Sequence, residues 1–426
     1  MKRGWPEKKG FTSAGICAIY PSLLEERISL SEEQPMKISK NAQSVSASVT
    51  MAVTARAKEL KAQGVDVVSF GAGEPDFDTP AFIKEAAKVA LDAGKTKYSP
   101  AAGAPELRQE IARKLKEENG LSYEAKQVIV TCGAKHTVYE AIHAVVDAGD
   151  EVLIPAPYWV SYPEMVKLVG GVPKIIPVSA ETGYKLTPEI LRDAVTDRSV
   201  MLILNYPSNP GGFCYSPDEL AALGRVIAAT KLAVLSDEIY EKLVYGDMEF
   251  RSFAAVCPDL YDRTITVNGL SKAYSMTGWR LGYAGGPVDV ITAMSRMQSH
   301  MTSGPATFCQ VAAVEALRKG QPEIEKMHAQ FAQRAQHIYQ RLNAIEGISC
   351  GEPTGAFYAF PDVSSHYEKL GVDGSVAFCQ RLLEEANVAA VPGAGFGCDA
   401  NLRLSFATSM EQINLGLDRI KAFVQG

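Results

Sequence analysis

The sequence predicts an α/β protein with a mostly parallel seven-stranded sheet flanked by helices, followed by a smaller α+β region. Three observations lead to this fold class. Short runs rich in Val, Ile and Leu recur between residues 128 and 284, as is typical of strands buried on both faces. Helical segments separate several of these runs, which favours right-handed crossovers between parallel strands. After about Gly304 the pattern changes to a long amphipathic helix and then to shorter mixed elements.

Periodicity and capping signals predict the elements in order. Residues 51–64 space apolar side chains as a helix does, and residues 65–70 read as a short strand. Thr79-Pro80 and Pro105 each open a helix after a loop. The further predicted helices cover residues 81–92, 105–116, 135–147, 216–230 and 306–345. The predicted sheet strands are 128–131, 151–155, 174–177, 200–205, 232–236, 264–267 and 280–284.

Composition narrows the function classes. A chain of 426 residues with 46% hydrophobic residues is long enough for two domains. The net charge of -6 and the lack of a basic stripe argue against a nucleic-acid partner. No apolar run reaches the length of about 20 residues that a membrane span needs, and no secretory signal opens the chain, so we expect a cytoplasmic location without a membrane partner. The eight cysteines form no C-x-x-C pair and are expected to be reduced thiols.

Residues 1–35 differ from the rest because they mix charges and prolines without sustained periodicity. We expect them to form a disordered N-terminal extension that carries no chemistry, and Met36 is a candidate start of translation.

Lys272 is the first candidate catalytic residue, because it follows the apolar run that ends at Val267. An ammonium is costly to bury, so a lysine placed there either points outward or has a lowered pKa suited to Schiff-base chemistry. Arg280 follows eight residues later, and together with Ser271 it has the donors to clamp a phosphate. A lysine beside a phosphate clamp indicates pyridoxal phosphate, and an ordinary surface loop is the alternative.

Further candidates follow other predicted strands. Asp237 comes at the end of a buried-type strand, where a carboxylate can keep a pyridinium nitrogen protonated; a helix cap is the alternative. Tyr240 is placed to donate to a phenolate oxygen of the same ring. Asn209 lies in a Pro-Gly turn and is either a cofactor ligand or part of a plain turn.

Two further segments of the sequence are candidate anion-binding sites. Gly133 and Ala134 mark a helix start after strand 128–131, where backbone amides can bind a phosphate. Arg403 alternates with apolar residues, so it is either a clamp for a carboxylate or an edge-strand residue that faces water. Ligands gather at the carboxyl ends of the strands in such sheets.

Taken in this order, the segments resemble fold type I pyridoxal phosphate enzymes, and specifically class I aminotransferases of the bacterial aspartate aminotransferase type. The resemblance covers about residues 40–425. It is carried by Gly73-Glu74-Pro75-Asp76-Phe77, Lys97-Tyr98, Pro157-Tyr158-Trp159, Asn209-Pro210-Gly211, Ser236-Asp237-Glu238-Ile239-Tyr240, Ser271-Lys272 with Arg280, Gly355-Ala356-Phe357-Tyr358 and Arg403.

The resemblance implies a large cofactor-binding domain of residues 81–320, a small domain of residues 36–80 and 321–426, and a homodimer with shared active sites. It implies that Lys272 holds pyridoxal phosphate as a Schiff base and moves the substrate's proton. The other cofactor-binding residues that it implies are Gly133, Ala134, Lys135, Trp159, Asn209, Asp237, Tyr240, Ser271, Arg280 and, across the dimer, Tyr98.

For the substrate, the resemblance implies that Arg403 clamps the α-carboxylate with help from Gly73, Trp159 and Asn209. A distal carboxylate is then recognised by Lys135, Ser48 and Thr50. No metal is implied. The implied reaction is ping-pong transamination from L-aspartate to 2-oxoglutarate, which yields oxaloacetate and L-glutamate. Other pairs that involve prephenate, alanine or aromatic amino acids stay open.

Two positions depart from the family pattern. Many relatives have Asn-Pro-Thr-Gly where this chain has Asn209-Pro210-Gly211-Gly212, and many have a serine where it has Gly269. We expect activity with altered cofactor affinity. A non-enzymatic regulator needs a DNA-binding domain that a prefix of 35 residues is too short to supply. A dinucleotide enzyme is disfavoured because Gly393 to Gly397 lack the Rossmann spacing.

Overall fold

The structure is a computed structural model that describes residues 36–46 and 49–426. The chain divides between Gln43 and Ser44. Of the part before this boundary, residues 36–43 are described, and their side chains are exposed. The expectation of disorder in residues 1–35 and the candidate residue Ser48 both lie outside the described residues. The fold and the site described below belong to residues 44–426.

Strands and helices alternate through most of the described chain. The strands are β1 (Val68–Ser69), β2 (Val128–Thr131), β3 (Glu151–Ala156), β4 (Val172–Pro177), β5 (Ser199–Asn205), β6 (Ala233–Asp237), β7 (Thr264–Gly269), β8 (Gly282–Gly285), β9 (Tyr358–Ala359), β10 (Val388–Ala389), β11 (Val391–Pro392) and β12 (Leu402–Ser405). The helices are α1 (Lys40–Ser44), α2 (Val49–Ala62), α3 (Ala81–Asp92), α4 (Pro105–Asn119), α5 (Ala134–Val145), α6 (Ser161–Leu168), α7 (Pro188–Ala194), α8 (Pro217–Ala228), α9 (Phe253–Val256), α10 (Val288–Met301), α11 (Thr307–Lys319), α12 (Gln321–Asn343), α13 (Tyr367–Leu370), α14 (Ser375–Ala386) and α15 (Met410–Gln425).

Seven strands form one sheet in the order β2-β8-β7-β6-β5-β3-β4. The neighbours from β4 to β7 pair in parallel, whereas β8 runs antiparallel to both β2 and β7. The middle strands are buried on both faces, because helices cover the sheet on each side. The predicted fold class is therefore confirmed.

Two smaller sheets are formed by strands outside the large sheet. β1 pairs in parallel with β10, so residues before the large sheet pack with residues after it. β12 lies between β9 and β11 in a three-stranded antiparallel sheet. The small domain of residues 36–80 and 321–426 stays a prediction.

The prediction of one continuous helix over residues 306–345 was wrong, because the structure has two helices there, α11 and α12. Helix α11 ends at Lys319 and is followed by the cap residue Gly320, whose amide bonds to the carbonyl of Ala316. Pro322 lies in the first turn of α12, where its missing N–H removes a donor that a continuous helix needs. The predicted strand 280–284 likewise begins later, at Gly282, because Arg280 has a φ of 55°.

The large sheet brings several loops to one edge. The strands β3, β5, β6 and β7 all end there, and β2 ends at the same edge because it runs parallel to β7. The antiparallel strand β8 begins there. This edge is where the candidate residues meet. In the described ranges, 36–46 and 49–426, no helix is long and apolar enough to cross a membrane.

One glycine fixes the turn after β5. Gly212 has a φ of +67°, and a Cβ at this position would overlap the carbonyl oxygen of Tyr358. Gly212 also accepts a hydrogen bond from the amide of Gly355 at 2.9 Å. The turn therefore packs its backbone directly on the segment that leads into β9.

This packing predicts a stability difference between two glycine variants. Gly212→Ala and Gly246→Ala both place a Cβ at a positive φ, but a Cβ at Gly246 would have no atom within 4 Å. We expect Gly246→Ala to cost about 1 kcal/mol from backbone strain, and Gly212→Ala to cost at least about 2 kcal/mol more from the overlap. Urea unfolding of both variants measures the difference, and equal losses would show that the turn shifts freely.

Candidate active site

A cleft of about 580 Å³ opens at this edge of the sheet. Its walls come from the segment that begins α2, the loop after β1, the start of α5 and the ends of β5, β6 and β7. Of the predicted residues, those that line it are Thr50, Gly73, Ala134, Lys135, Trp159, Asn209, Asp237, Tyr240, Ser271, Lys272, Arg280 and Arg403.

Lys272 lies in this cleft, three residues after the end of β7. Its ammonium donates a hydrogen bond to the carbonyl of Gly73 and lies between the rings of Tyr240 and Phe357, at 5.7 and 5.6 Å from their centroids. Burial, reinforced by the positive charge of Arg403, lowers the pKa of Lys272 to about 8. The amine is therefore easier to deprotonate than that of a surface lysine, and the neutral amine is the nucleophilic form.

Asp237 ends β6 and is buried. Burial raises the pKa of its carboxyl group to about 6, although the hydroxyl of Tyr162 donates to Oδ2 at 2.6 Å. The amide of Ile239 donates to Oδ1 at 3.3 Å, and a turn rather than a helix follows, so the helix-cap alternative was wrong. A nearby cation would stabilise the ionised form of this carboxyl.

Arg403 lies on β12, the central strand of its sheet, and is 2% exposed, so the edge-strand alternative was wrong. Its guanidinium donates to Oδ1 of Asn209 at 3.1 Å and to the carbonyl of Gly71 at 3.0 Å. The backbone of Asn209 is itself held by Oδ1 of Asn205 at 2.9 Å. The Nε group of Arg403 is buried without a hydrogen-bond partner among the described residues.

Arg280 packs against the start of α5. It donates to the carbonyl of Thr277 at 2.8 Å and lies so close to Gly133 that a Cβ there would overlap the guanidinium. The amides of Ala134 and Lys135 precede the first hydrogen bonds of α5, which begin with the amides of His136 and Thr137 bonded to the carbonyl of Gly133. Ser271 is buried beside Lys272. Together these groups form a concave site rich in donors, which suits a phosphate.

Lys135, in the first turn of α5, and Trp159 also line the cleft. The ammonium of Lys135 lies 4.8 Å from the centroid of the Trp159 ring, and burial, with a smaller effect of Arg280, lowers its pKa. The hydroxyl of Thr50 is buried and has no hydrogen-bond partner in the ranges that the structure describes. Lys135 and Thr50 thus add two donors to the lining that contains Arg403.

The cleft carries more positive than negative charge. Within residues 36–46 and 49–426, four cations of the lining form no ion pair within 4.0 Å: Lys135 and Arg280, which are exposed, and Lys272 and Arg403, which are half-buried and buried. Asp237 and Glu74 are the carboxylates in its lining. Such a site favours a ligand with several negative charges.

Some predicted residues lie elsewhere, and some lining residues escaped prediction. Tyr98 is 94% exposed and does not line the cleft. Sequence reasoning missed Tyr162, which supports Asp237, and it assigned no role to Tyr358, although the motif that contains Tyr358 was noticed. The hydroxyls of Tyr358 and Tyr240 lie 2.9 Å apart.

The two departures from the family pattern have local explanations. A Cβ at Gly211 would overlap the ring of Phe213, so a threonine does not fit beside that ring. A Cβ at Gly269 would lie 2.9 Å from the carbonyl oxygen of Leu281, because β7 and β8 approach closely there. A larger residue at either position would therefore require a neighbouring group of this chain to shift.

Comparison with known proteins agrees with this geometry. The family described as aminotransferase class I and II matches residues 65–420, and the chain belongs to this family. It is an enzyme that transfers amino groups. It is 47% identical over 390 residues to an aspartate aminotransferase of Geobacillus stearothermophilus, covering 92% of this chain and 99% of the relative.

Two further relatives extend the comparison. An aspartate/prephenate aminotransferase of Cereibacter sphaeroides is 48% identical over 388 residues, which are 90% of this chain and 97% of the relative. The solved structure of an aspartate aminotransferase from Thermus thermophilus with maleate superposes with a TM-score of 0.86 at 43% identity. That match covers 91% of this chain and 99% of that chain.

The lowered pKa of Lys272 predicts a pH-dependent stability in the unliganded protein. Between pH 8 and the ordinary lysine pKa of 10.5, the unfolded chain keeps a proton that the folded chain has lost. The free energy of unfolding therefore rises with pH in this window relative to that of Lys272→Met, which lacks the titrating amine. Urea unfolding from pH 7 to pH 10 measures this difference in the free energy of unfolding. The surface variant Lys231→Met is the control and should follow the wild type. Parallel pH profiles for the wild type and Lys272→Met would contradict the prediction.

Proposed function

We propose that this aminotransferase uses pyridoxal phosphate and transfers the amino group of L-aspartate to 2-oxoglutarate. The observation that carries the proposal is the cleft of unpaired cations at the end of the parallel sheet. A cofactor phosphate and two substrate carboxylates supply three anionic groups, which complement those cations. The names of the relatives support aspartate as the amino donor.

The residues present fit pyridoxal phosphate. The donor-rich site at Gly133, Ala134, Ser271 and Arg280 suits its phosphate, since only a glycine leaves room beside the guanidinium. Asp237 is a buried carboxyl group without a cationic partner within ion-pair distance in the described part of the chain, so it suits a protonated ring nitrogen. Lys272 has the lowered pKa that attachment to an aldehyde requires.

The remaining groups orient the cofactor. Trp159 would cover one face of the ring, and Asn209 and Tyr240 would bond to its hydroxyl oxygen. When bound, pyridoxal phosphate supplies an electron-withdrawing ring that accepts the electron pair released at the substrate Cα. Lys272 would move the proton from that Cα to the C4′ carbon of the cofactor within the first half of the ping-pong cycle, and would move a proton in the opposite direction in the second half.

Substrate selection follows from the two ends of the cleft. Arg403, fixed by Asn209 and by the loop that contains Gly73, would clamp the α-carboxylate with two parallel bonds. Lys135 and Thr50 would bind a distal carboxylate, with Ser48 as a third proposed donor. The relative crystallised with maleate, a dicarboxylate, is consistent with this arrangement.

We further propose that the enzyme is a homodimer whose two active sites are shared. Tyr98 is 94% exposed on the described chain, which is unusual for a tyrosine in an ordered loop. A second subunit that covers it would bring its hydroxyl to the phosphate of the neighbouring site.

A second amino donor or acceptor is also supported, because one relative is named aspartate/prephenate aminotransferase. Prephenate carries two carboxylates, so the same pair of clamps suits it. Alanine and aromatic amino acids lack a distal carboxylate and should depend on Lys135 much less.

Covalent trapping tests the cofactor assignment. Purified protein mixed with pyridoxal phosphate should show a visible absorption band, and borohydride reduction should fix the cofactor on the peptide that contains Lys272. Lys272→Ala should lose both signals because the attacking amine is gone.

Lys135→Ala is the matched control, because it removes another lysine from the same cleft. We expect it to keep the band and the labelled Lys272 peptide. An absorption spectrum unchanged by Lys272→Ala, or a label fixed on Lys135, would overturn the assignment.

A substrate panel tests the role of Lys135. Lys135→Ala should lower kcat/KM for aspartate by at least about tenfold, because a charge-assisted hydrogen bond is lost, and lower it far less for alanine. Lys231 is exposed and precedes the start of β6, at the end of that strand opposite to Asp237, so Lys231→Ala should change neither value. Equal losses for both substrates would place the distal-carboxylate site elsewhere.

A further inference from the structure

Tyr358 lies at the centre of the candidate site and has no role in the function proposed so far. Its side chain is fully buried, at 0% exposure, yet it lines the cleft. It begins β9, directly after Ala356 and Phe357. Ala356 has a φ of 56°, an unfavourable conformation for a residue with a Cβ. The amide of Ala356 bonds to the carbonyl of Leu243 at 2.9 Å, and Tyr245 donates to its carbonyl oxygen. The chain therefore holds a strained backbone in place just before Tyr358.

Two further contacts fix the backbone of Tyr358. Residue Ser405 pairs with it across the sheet, so Tyr358 lies beside the strand that carries Arg403. The turn that contains Gly212 packs on its carbonyl oxygen. Tyr358 thus connects the strand of the carboxylate clamp with the turn of Asn209.

The side chain of Tyr358 contacts two functional groups at once. Its hydroxyl lies 2.9 Å from that of Tyr240, the residue proposed to bond to the cofactor ring oxygen. Its ring lies 4.6 Å from the Cζ atom of Arg403, which is the distance of a cation–π contact in a buried site. One tyrosine therefore touches both the cofactor side and the substrate side of the cleft.

The hydroxyl pair can share only one proton between its two oxygens. Neither hydroxyl has a second hydrogen-bond partner within the residues that the structure describes. If Tyr358 donates to Tyr240, the proton of Tyr240 is free to point into the cleft. Burial raises the pKa of both tyrosines, and the guanidinium of Arg403 opposes this rise most directly at Tyr358. The more acidic hydroxyl is the better donor, so the contact with Arg403 favours donation from Tyr358.

We propose that Tyr358 is a positioning residue with two functions. Its hydroxyl donates to Tyr240 and so directs the proton of Tyr240 toward the ring oxygen of the cofactor, and its ring supports the guanidinium that clamps the substrate carboxylate. This inference rests on the proposed use of pyridoxal phosphate. Tyr358 itself contacts no reacting atom, since it acts through Tyr240 and Arg403.

The two functions can be separated by two variants of the holoenzyme. Tyr358→Phe removes only the hydroxyl, and Tyr358→Leu removes the ring as well. The first readout is the pH midpoint at which the visible absorption band of the bound cofactor titrates. The second is the dissociation constant of maleate, which reports the carboxylate clamp.

Tyr358→Phe should raise the pH midpoint by about half a unit and leave maleate affinity within about threefold of the wild type. The midpoint rises because a weaker bond from Tyr240 leaves more negative charge on the ring oxygen, which holds the titrating proton more firmly. Tyr358→Leu should show the same rise and, in addition, weaken maleate by about tenfold, because the cation–π support is lost.

A double variant tests the route of the effect. In a Tyr240→Phe background, Tyr358→Phe should cause no further shift of the midpoint, because its action passes through the missing hydroxyl. Tyr123→Phe is the matched control: this buried tyrosine also pairs with a hydroxyl, that of Thr266 at 3.5 Å, and is absent from the cleft lining. It should move neither readout.

Each contrary outcome has a distinct meaning. A wild type that takes up no pyridoxal phosphate overturns the proposed function and this inference together. A wild type with a normal band whose midpoint is unchanged in Tyr358→Phe overturns the inference alone. A lower midpoint shows that Tyr240 donates to Tyr358 and overturns it too. Tyr358→Phe decides the question by itself if Tyr358→Leu does not fold.

Discussion

The site depends on positive charge that is buried or half-buried without a paired carboxylate. Lys272 and Arg403 donate to neutral carbonyl and amide oxygens instead of to acidic side chains. Neutral acceptors satisfy the N–H groups but leave the charge uncompensated, which costs stability in a protein interior. The fold tolerates this cost because a large core surrounds the cleft, and an anionic ligand offsets it on binding. Stability and function are therefore opposed at this edge of the sheet.

The parallel sheet explains how such groups converge. The carboxyl ends of parallel strands lie at the same edge of the sheet, so residues that are distant in sequence become neighbours there without long loops. Asp237 ends β6, and Lys272 follows the end of β7, the strand that pairs with it. The side chains beneath them are buried and apolar, apart from hydroxyls such as that of Tyr162. Because this packing is rigid, it keeps the charged groups of Asp237 and Lys272 at separate positions.

Local sequence patterns were sufficient to predict the sheet and the residues at strand ends, because an apolar run or a turn involves residues that are adjacent in the sequence. Asp237 and Lys272 could be found in this way, and Arg403 could be found from its place among alternating apolar residues; the cleft contains all three. The break at Gly320 also had a local signal, since Pro322 follows it. The pairing of Tyr162 with Asp237 spans 75 residues, and that of Tyr240 with Tyr358 spans 118. Such contacts depend on the order of strands and on the packing of distant segments, which no local pattern records.

The loop between β1 and α3 shows why distant contacts decide the chemistry here. Its carbonyls at Gly71 and Gly73 solvate Arg403 and Lys272, while Arg334 of α12 holds Asp76 through two bonds of 2.7 and 3.0 Å. Thr277 also donates to Glu74 at 2.8 Å, so the loop is anchored by residues that lie about 200 or more positions away in the sequence. Because the loop supplies carbonyl dipoles instead of negative charges, it stabilises both cations without neutralising them. Arg403 and Lys272 therefore still attract an anionic substrate. A carboxylate at the same place would satisfy the cations permanently and close the site to any anion.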